Sequence, residues 1–185
     1  MLDRIRLLVL DVDGVLTDGR IVYDSAGAET KAFSAADGQG IKYWLRAGHQ
    51  AAILSGRDSD TVDRRAEELG ISLVRTGAKD KLPAFEQILE QAGCTAEEAC
   101  AVGDDLPDLP VLARVGLAVV VPGAPEEVRR IAHYVTRAAG GAGAVRETIE
   151  LLLKYQGRWD GVTRRYEEQL PGHLPGARRP WRARS

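Results

Sequence analysis

The sequence has little of three things that each mark a class of protein: cysteine, long apolar runs and an excess of one charge. Its 185 residues include two cysteines, too few for a disulfide scaffold and without the paired spacing of a zinc site. No run approaches the length of a membrane span, and no secretory cleavage site follows the first apolar stretch. The net charge of −2 gives no reason to expect a nucleic acid partner. We therefore expect a cytoplasmic globular protein that binds neither membrane nor nucleic acid.

The basic residues are concentrated at the C-terminus. Residues 157–185 contain seven arginines against three acidic residues, together with three prolines and no sustained apolar period. This composition is typical of a solvated, adaptable tail without a packed core. We predict one domain over residues 1–156 and a basic, partly disordered tail over residues 157–185.

Short apolar runs alternate with segments of helical periodicity through the predicted domain. The predicted strands are Ile5–Leu10, Ala51–Leu54, Ser72–Val74, Cys100–Val102 and Leu117–Val121. The predicted helices are Gly38–Ala47, Ser59–Leu69, Leu82–Ala92, Leu109–Val115 and Ala144–Tyr155. Strands that alternate with helices predict an α/β fold with a doubly wound, mostly parallel sheet of the Rossmann type.

One segment interrupts this alternation directly after the first strand. Residues 20–23 and 30–33 flank a turn at Asp24–Ala28 and predict a β-hairpin. A hairpin in this place would project past the C-terminal edge of the sheet, where ligands of doubly wound folds bind. No segment is long enough to form a large cap domain over that edge.

The strongest chemical signal follows the first strand, in the run Asp11-Val-Asp13-Gly14-Val-Leu-Thr17-Asp18-Gly19. Two carboxylates this close repel each other unless a cation or a shared proton relieves the repulsion. Gly14 permits a tight turn whose amide groups can face an anion. The alternative is an ordinary acidic turn at the end of a strand.

This run resembles the first motif of the haloacid dehalogenase superfamily, whose members mostly hydrolyse phosphate esters through an aspartyl-phosphate. Three further segments resemble the other motifs of the superfamily in order: Ser55-Gly56-Arg57 after a strand, Lys81 at the start of a helix, and the acidic run Gly103–Asp108. Residues 11, 55 and 104 each follow a different predicted strand, so a parallel sheet would gather them at one edge.

The resemblance implies how such a site would work. Asp11 is the implied nucleophile, and Asp13 is the implied general acid and then general base. The implied cofactor is Mg²⁺, held by the carboxylates of Asp11 and Asp104 and by the backbone carbonyl of Asp13. Lys81 would add a further positive charge against the substrate phosphate.

Other residues are implied to bind substrate or to position the groups that do. The implied substrate-binding residues are Gly14, Ser55, Gly56, Arg57, Arg65 and Lys81. Asp105 and Asp108 are expected to orient Lys81 or metal-bound water rather than to hold the metal.

Four of these assignments have a structural alternative. Ser55 could cap a helix, and Asp108 could be a solvated acid at a helix start. Arg65 could be a surface residue paired with a neighbouring acid, and Lys79 could replace Lys81 as the motif lysine. Lys81 is preferred because the matching motif runs Gly77-x-x-x-Lys81-Leu.

Residues 5–156 resemble, more narrowly, a cap-less branch of the superfamily that includes the 3-deoxy-D-manno-octulosonate 8-phosphate phosphatases. The similar segments include Lys31–Phe33, Asp37–Ile41 and Tyr134–Glu147. The branch forms tetramers in which hairpins meet and neighbouring subunits cover each active site. It therefore implies a homotetramer, with Gly140–Arg146 close to an active site of its own or a neighbouring subunit.

The same resemblance implies a phosphorylated sugar acid as substrate, in lipopolysaccharide biosynthesis. Members that act on nonulosonate 9-phosphates tend to carry Glu where this chain has Arg57, so the eight-carbon acid is preferred and the nonulosonate is the alternative. Thr76, where the branch often has Gln, is a departure from the pattern. Two other classes of protein are alternatives to a phosphatase. One is a phosphoacceptor receiver domain, which would need an Asp where Ser55 stands, and the other is a non-catalytic oligomerisation module.

Overall fold

The computed structural model describes residues 2–168, and its centre is a six-stranded parallel sheet. Its strands are β1 (Leu7–Leu10), β4 (Gln50–Leu54), β5 (Leu73–Arg75), β6 (Ala99–Gly103), β7 (Leu117–Val120) and β8 (Tyr134–Val135). They lie in the order β5–β4–β1–β6–β7–β8, with each neighbouring pair parallel. The predicted α/β fold is confirmed, and the parallel sheet has both of its faces covered by helices.

Side chains alternate between the two faces of the central strand. Leu8 and Leu10 pack into one apolar cluster, whereas Leu7 and Val9 pack into the other. The helices are α1 (Ala35–Arg46), α2 (Asp60–Leu69), α3 (Lys81–Ala92), α4 (Leu109–Leu112), α5 (Glu126–Arg129), α6 (Ala144–Tyr155) and α7 (Trp159–Glu167). Helices α1, α2 and α6 cover the first face, and α3, α4 and α5 cover the second. All four strand positions are therefore buried, which explains why β1 is continuously apolar.

The direction of strand addition reverses between β1 and β6. From β1 the chain adds β4 and β5 on one side of the sheet, and then returns to add β6, β7 and β8 on the other. The connections leaving β1 and β6 diverge at this point, which opens a crevice at their carboxyl ends. Asp11 follows β1 and Asp104 follows β6, so the topology alone places both carboxylates at this crevice.

The predicted hairpin is confirmed as an antiparallel pair of two-residue strands, β2 (Val22–Tyr23) and β3 (Glu29–Thr30). Its turn is held by Asp24, whose side chain accepts hydrogen bonds from the amides of Ala26 and Ala28. Such a short hairpin has little stability of its own and depends on contacts beyond its two strands.

Several boundaries differ from the sequence prediction for local reasons. Helix α1 begins at Ala35 rather than Gly38, because the Ser34 hydroxyl accepts the amide hydrogen of Asp37 and caps the helix earlier. Helix α4 ends at Leu112, three residues short of the prediction. The two-residue β8 and the four-residue α5 were not predicted, because neither is long enough to show a hydrophobic period.

The helix α7 lies inside the segment predicted as a tail. Its Trp159 ring meets Tyr43 of α1 edge-on, with centroids 5.9 Å apart, and the charged groups of Arg146 and Lys154 lie over the indole. The Arg158 guanidinium donates to the carbonyl of Ala47. The packed structure therefore continues past the predicted boundary at residue 156, and the rest of the predicted tail, residues 169–185, lies outside the described residues. Between residues 2 and 168, no helix is long and apolar enough to cross a membrane.

If α7 is part of the packed domain, Trp159→Ala should lower the free energy of unfolding by about 1–2 kcal/mol, because it removes a half-buried indole and its aromatic contact. The matched control is Tyr155→Ala, an aromatic truncation at a side chain that is 57% exposed. Urea titration followed by circular dichroism measures both variants. Equal, small effects of the two substitutions would show that α7 contributes no packing.

Candidate active site

A cavity of about 240 Å³ opens at the crevice between β1 and β6. It brings together nearly all of the residues that the sequence singled out, and its lining is Asp11, Asp13, Ser55, Gly56, Arg57, Lys81, Asp104, Asp105, Pro107 and Asp108. These residues come from four separate segments of the chain, which meet because the parallel strands all end at the same edge.

Three carboxylates form the floor of the cavity. Asp11, Asp104 and Asp108 each offer an oxygen, and these oxygens lie within 4.8 Å of one another. Burial raises the pKa of Asp11, and the charge of Asp108 raises it further against the opposing effect of Lys81. Burial and then the charge of Asp11 raise the pKa of Asp104 to about 8. The cluster is therefore short of positive charge, as expected for a site that holds a cation.

Lys81 links two of these carboxylates from the first turn of α3. Its Nζ lies 2.7 Å from Asp11 Oδ1 and 2.6 Å from Asp108 Oδ1, and the lysine is buried. Burial alone would lower the pKa of Lys81, but the charges of Asp11 and Asp108 together raise it, so the ammonium stays charged. Lys79 is exposed and lies outside the cavity lining, which leaves Lys81 as the motif lysine.

Asp108 is a buried positioning residue and not a solvated acid at a helix start. One of its oxygens binds Lys81, and the other accepts the backbone amides of Asp104 and Asp105 at 3.0 and 3.3 Å. Both oxygens are thereby engaged, so Asp11 and Asp104 are the carboxylates left to hold a metal. The side chain of Asp105 is exposed and accepts the amide of Leu106, so it shapes the turn and does not contact Lys81.

The donor set fits a magnesium ion. Mg²⁺ prefers oxygen ligands and is usually held by one or two carboxylates together with water and substrate phosphate. Asp11 and Asp104 supply that pair at the crevice. Burial first, and then the charge of a neighbouring carboxylate, raises the pKa of each, and a divalent cation would offset that charge.

The turn after β1 requires glycine at residue 14. Gly14 has φ of +98°, and a Cβ at this position would lie 2.0 Å from Asp104 Oδ2. The Thr17 hydroxyl donates to the carbonyl of Val12 and accepts the amides of Gly14 and Gly19, which holds the turn closed. The predicted role of Gly14 thus has a second part, since its missing side chain makes room for a candidate metal ligand.

Two further glycines, Gly140 and Gly141, pack directly against this turn. A Cβ at Gly140 would lie 1.7 Å from the carbonyl oxygen of Gly14, and Gly141 donates its amide to Val15 at 2.9 Å. The buried carboxylate of Asp37 accepts the amides of Gly143 and Arg146 and ties the same loop to α1. The loop that begins at Gly140 therefore supports the active-site turn of its own chain.

The second motif presents its side chains on a loop between β4 and α2. Ser55 is buried, and its Oγ accepts the amide of Arg57 at 3.2 Å. It does not cap α2, whose N-cap is Ser59, so the capping alternative is wrong. Gly56 lines the cavity, and Arg57 reaches over it with Nε 3.8 Å from Asp13 Oδ2.

Arg65 is not brought to this cavity. Its guanidinium pairs with Glu68 at 3.2 Å, lies 3.4 Å from the Ser34 carbonyl and stacks over the ring of Phe33. Arg65 is not among the residues that line the cavity of the same chain, so its contact with substrate stays a prediction. The residue instead fills the gap beside Gly38, where a Cβ would lie 2.3 Å from its Nη2.

Two residues of the hairpin segment, Lys31 and Glu29, contact the site without having been predicted to do so. Lys31 Nζ lies 2.5 Å from Asp13 Oδ1 and 3.2 Å from Glu29 Oε1, and its side chain is 1% exposed. Glu29 also binds Arg57, at 2.7 Å. The sequence offered one signal for Lys31, since it lies in a segment similar to the cap-less phosphatase branch. Its contact with Asp13 could not be predicted, because the two residues are separated in sequence and meet only through the fold.

Comparison with known proteins agrees with this geometry. The family model of the haloacid dehalogenase-like hydrolases matches residues 27–116 of the chain. The 3-deoxy-D-manno-octulosonate 8-phosphate phosphatase of Yersinia pestis is 44% identical over 159 residues, which are 86% of this chain and 85% of that protein. The phosphatase of the same name from Escherichia coli K12 is 47% identical over 158 residues, 85% of this chain and 84% of that protein. The chain belongs to the family of the 3-deoxy-D-manno-octulosonate 8-phosphate phosphatases, as the resemblance implied.

Solved structures agree in fold as well as in sequence. The phosphatase of Moraxella catarrhalis, in complex with magnesium, phosphate and KDO, superposes with a TM-score of 0.87 at 42% identity and covers 89% of this chain and 95% of its own. The cobalt-bound phosphatase of Haemophilus influenzae has a TM-score of 0.82 at 43% identity and covers 85% of this chain and 89% of its own.

Proposed function

We propose that the protein hydrolyses 3-deoxy-D-manno-octulosonate 8-phosphate to the free sugar acid and phosphate, with Mg²⁺ and through an aspartyl-phosphate. The observation that carries the proposal is the cluster of Asp11, Lys81, Asp104 and Asp108 at the sheet switch point, in a chain 44–47% identical to phosphatases of that substrate. In this role the product serves lipopolysaccharide biosynthesis. Two unpaired cysteines, Cys94 and Cys100, suit the reducing cytoplasm in which we place the reaction.

The nucleophile in this mechanism is Asp11. Lys81 and a backbone amide hold its carboxylate, and Lys81 occupies Oδ1, so Oδ2 is the oxygen directed to the phosphorus. Asp13 stands two residues further on, with a carboxylate 19% exposed at the cavity. It gives a proton to the leaving oxygen and later takes one from the water that hydrolyses the aspartyl-phosphate.

Positive charge must offset a phosphate dianion that approaches several carboxylates. Mg²⁺, held by Asp11, Asp104 and the backbone carbonyl of Asp13, supplies two charges and polarises a phosphoryl oxygen. Lys81 supplies a third and remains fixed by Asp108. Ser55 and Gly56 lie in the cavity lining, and the Ser55 hydroxyl and the Gly56 amide would orient the remaining phosphoryl oxygens. The amide of Gly14 donates to the Thr17 hydroxyl, so the Gly14 turn would contribute by its shape.

The substrate also carries a carboxylate, for which Arg57 is the available partner. Its guanidinium is half-exposed at the cavity and is held by Glu29 at 2.7 Å. The Moraxella catarrhalis phosphatase was solved with KDO, which is the sugar acid product of the proposed reaction. The alternative keeps the chemistry and changes the substrate to a nonulosonate 9-phosphate.

The first test is phosphate release, with and without Mg²⁺, from the octulosonate 8-phosphate, nonulosonate 9-phosphates and simple sugar phosphates. We expect Mg²⁺-dependent release with at least tenfold higher kcat/KM on the octulosonate, which corresponds to about 1.4 kcal/mol of transition-state discrimination. Equal rates on all of these substrates would support a phosphatase but contradict the assignment of the octulosonate as its substrate. No release by the folded protein with Mg²⁺ bound would favour the non-catalytic module.

Three substitutions test the assigned roles. Asp11→Asn should abolish turnover, because the uncatalysed hydrolysis of a phosphate monoester is extremely slow. Lys81→Met should lower kcat by roughly 10²-fold or more, because it removes a charge beside the transferred phosphoryl group. Lys79→Met is the matched control, two residues away and exposed, and should leave kcat unchanged. Steady-state phosphate release measures all three. A larger loss of kcat for Lys79→Met than for Lys81→Met would show that Lys79 is the lysine of the third motif.

We further propose that the chain works as a homotetramer whose neighbouring subunits cover the active sites. The described residues leave the cavity open and form no cap domain, although closure over an active site displaces bulk solvent and strengthens the electrostatic interactions inside it. The hairpin exposes Ile21, Val22 and Tyr23 by 39, 49 and 59%, a row of apolar residues suited to contact with another copy.

Light scattering after size exclusion should report a mass four times the 20.0 kDa of the chain. Val22→Lys places a charge in the exposed apolar row of the hairpin and should shift the mass toward the monomer, with loss of activity. Tyr155→Lys, at a side chain that is 57% exposed at the end of α6, is the control. A fully active monomer would contradict the coverage of the site by neighbours.

A further inference from the structure

The carboxylate of Asp13 is held by a lysine from the hairpin segment. Lys31 Nζ lies 2.5 Å from Asp13 Oδ1, and this side chain is 1% exposed. Within residues 2–168 no second donor hydrogen-bonds that carboxylate, since Arg57 Nε stands 3.8 Å from Oδ2, beyond hydrogen-bond distance. One oxygen of Asp13 is thus engaged and the other remains open toward the cavity.

The lysine is itself fixed from the other side by Glu29. Glu29 Oε1 lies 3.2 Å from Lys31 Nζ and 3.1 Å from the hydroxyl of Ser59, while Oε2 accepts Arg57 at 2.7 Å. These bonds, that of Arg57 above all, lower the pKa of Glu29, so the group is ionised under working conditions. A chain of contacts therefore runs from the loop between β4 and α2 through the hairpin segment to Asp13.

We propose that Lys31 is a positioning residue that fixes the rotamer of Asp13, so that Oδ2 and not Oδ1 exchanges the proton with the leaving oxygen and with water. The proposal rests on the proposed function, because it assigns an atom within that reaction. Burial of the lysine side chain places it behind Asp13 and away from the cavity lining, so Lys31 acts through Asp13 and does not bind substrate itself.

The two steps balance with Lys31 unchanged. In the first, Asp11 Oδ2 forms a bond to phosphorus, the electron pair of the breaking P–O bond goes to the leaving oxygen, and that oxygen takes the proton from Asp13 Oδ2. In the second, water attacks phosphorus, its proton returns to Asp13 Oδ2, and the P–O bond to Asp11 breaks. Lys31 remains an ammonium throughout and keeps Oδ1 engaged in both protonation states of Asp13.

A test that separates positioning from a merely structural role is the dependence on the leaving group. A p-nitrophenolate departs without a proton, whereas an alkoxide of a sugar needs one. The experiment measures release of the leaving group, nitrophenol or the sugar, in single turnovers with protein in excess. The substrates are p-nitrophenyl phosphate and the sugar phosphate that the unmodified protein hydrolyses best. The variants are Lys31→Met, the exposed-lysine control Lys42→Met, and Asp13→Asn as the reference for a lost proton donor.

For Lys31→Met we expect the first turnover of the sugar phosphate to fall on the order of 10²-fold and that of p-nitrophenyl phosphate to stay within about threefold, the pattern of Asp13→Asn. Lys42→Met should match the unmodified protein on both substrates. Glu29→Gln should lower the first turnover of the sugar phosphate by a smaller factor than Lys31→Met does, because it removes a contact of Lys31 but leaves the lysine in place. If Lys31→Met does not fold, as judged by circular dichroism, Lys31→Gln takes its place.

Three outcomes would overturn the inference. Equal losses on the two substrates would show that Lys31 only supports the hairpin. An increase in KM confined to the sugar acid, with first turnovers unchanged, would make Lys31 a substrate contact. If the unmodified protein released phosphate from neither substrate, the proposed function itself would fail, and this inference with it; activity of the unmodified protein thus separates the two failures.

Discussion

The repulsion among carboxylates at one edge of a parallel sheet is the constraint on which the rest of the site depends. Asp11, Asp104 and Asp108 lie within 4.8 Å of one another, and the pKa values of the first two are raised by burial and by their neighbours. Isolated from water, such a cluster would take up protons and lose its function. Lys81 offsets part of the charge and gives Asp108 a fixed role, which leaves Asp11 and Asp104 for a divalent cation. The positive charge is thus divided between a permanent lysine and an exchangeable metal.

Close packing of backbone holds the same cluster in place. Gly14 leaves the space that Asp104 Oδ2 occupies, and Gly140 lets another loop approach the carbonyl of Gly14. Neither approach is possible with a Cβ, because both hypothetical contacts are 2.0 Å or shorter. Asp37 then anchors that loop to α1 through two backbone amides. The glycines of these segments therefore serve the geometry of the acidic cluster as much as the freedom of the chain to turn.

Sequence reasoning predicted the sheet, the hairpin and most of the site, because each depends on local pattern: apolar runs for buried strands, and polar residues where those runs end. It failed where an assignment needed a distance across the fold. Arg65 is implied to bind substrate by the resemblance, yet it packs against Phe33 and Glu68, and only tertiary structure shows this. Trp159 lies in a segment whose composition resembles a tail, and its order comes from a contact with Tyr43, 116 residues earlier in the chain. The contact between Lys31 and Asp13 was not predicted, because a lysine after a strand is common and the sequence does not show its partner.

The hairpin connects two features that the acidic cluster alone does not explain: the proposed coverage of the site by another subunit and the orientation of Asp13. Its strands contain two residues each, too few to be stable without further contacts, and its exposed apolar row is suited to another copy of the chain. The segment that forms and leaves this hairpin also supplies Glu29 and Lys31, which hold Arg57 and Asp13. Assembly that orders the hairpin would therefore also order Asp13 and Arg57, the groups proposed to transfer the proton and to face the substrate carboxylate. Residues 2–168 form no cap domain, so the same contact between subunits would both displace bulk solvent from the site and align Asp13. Both functions of a cap would then come from one small insertion.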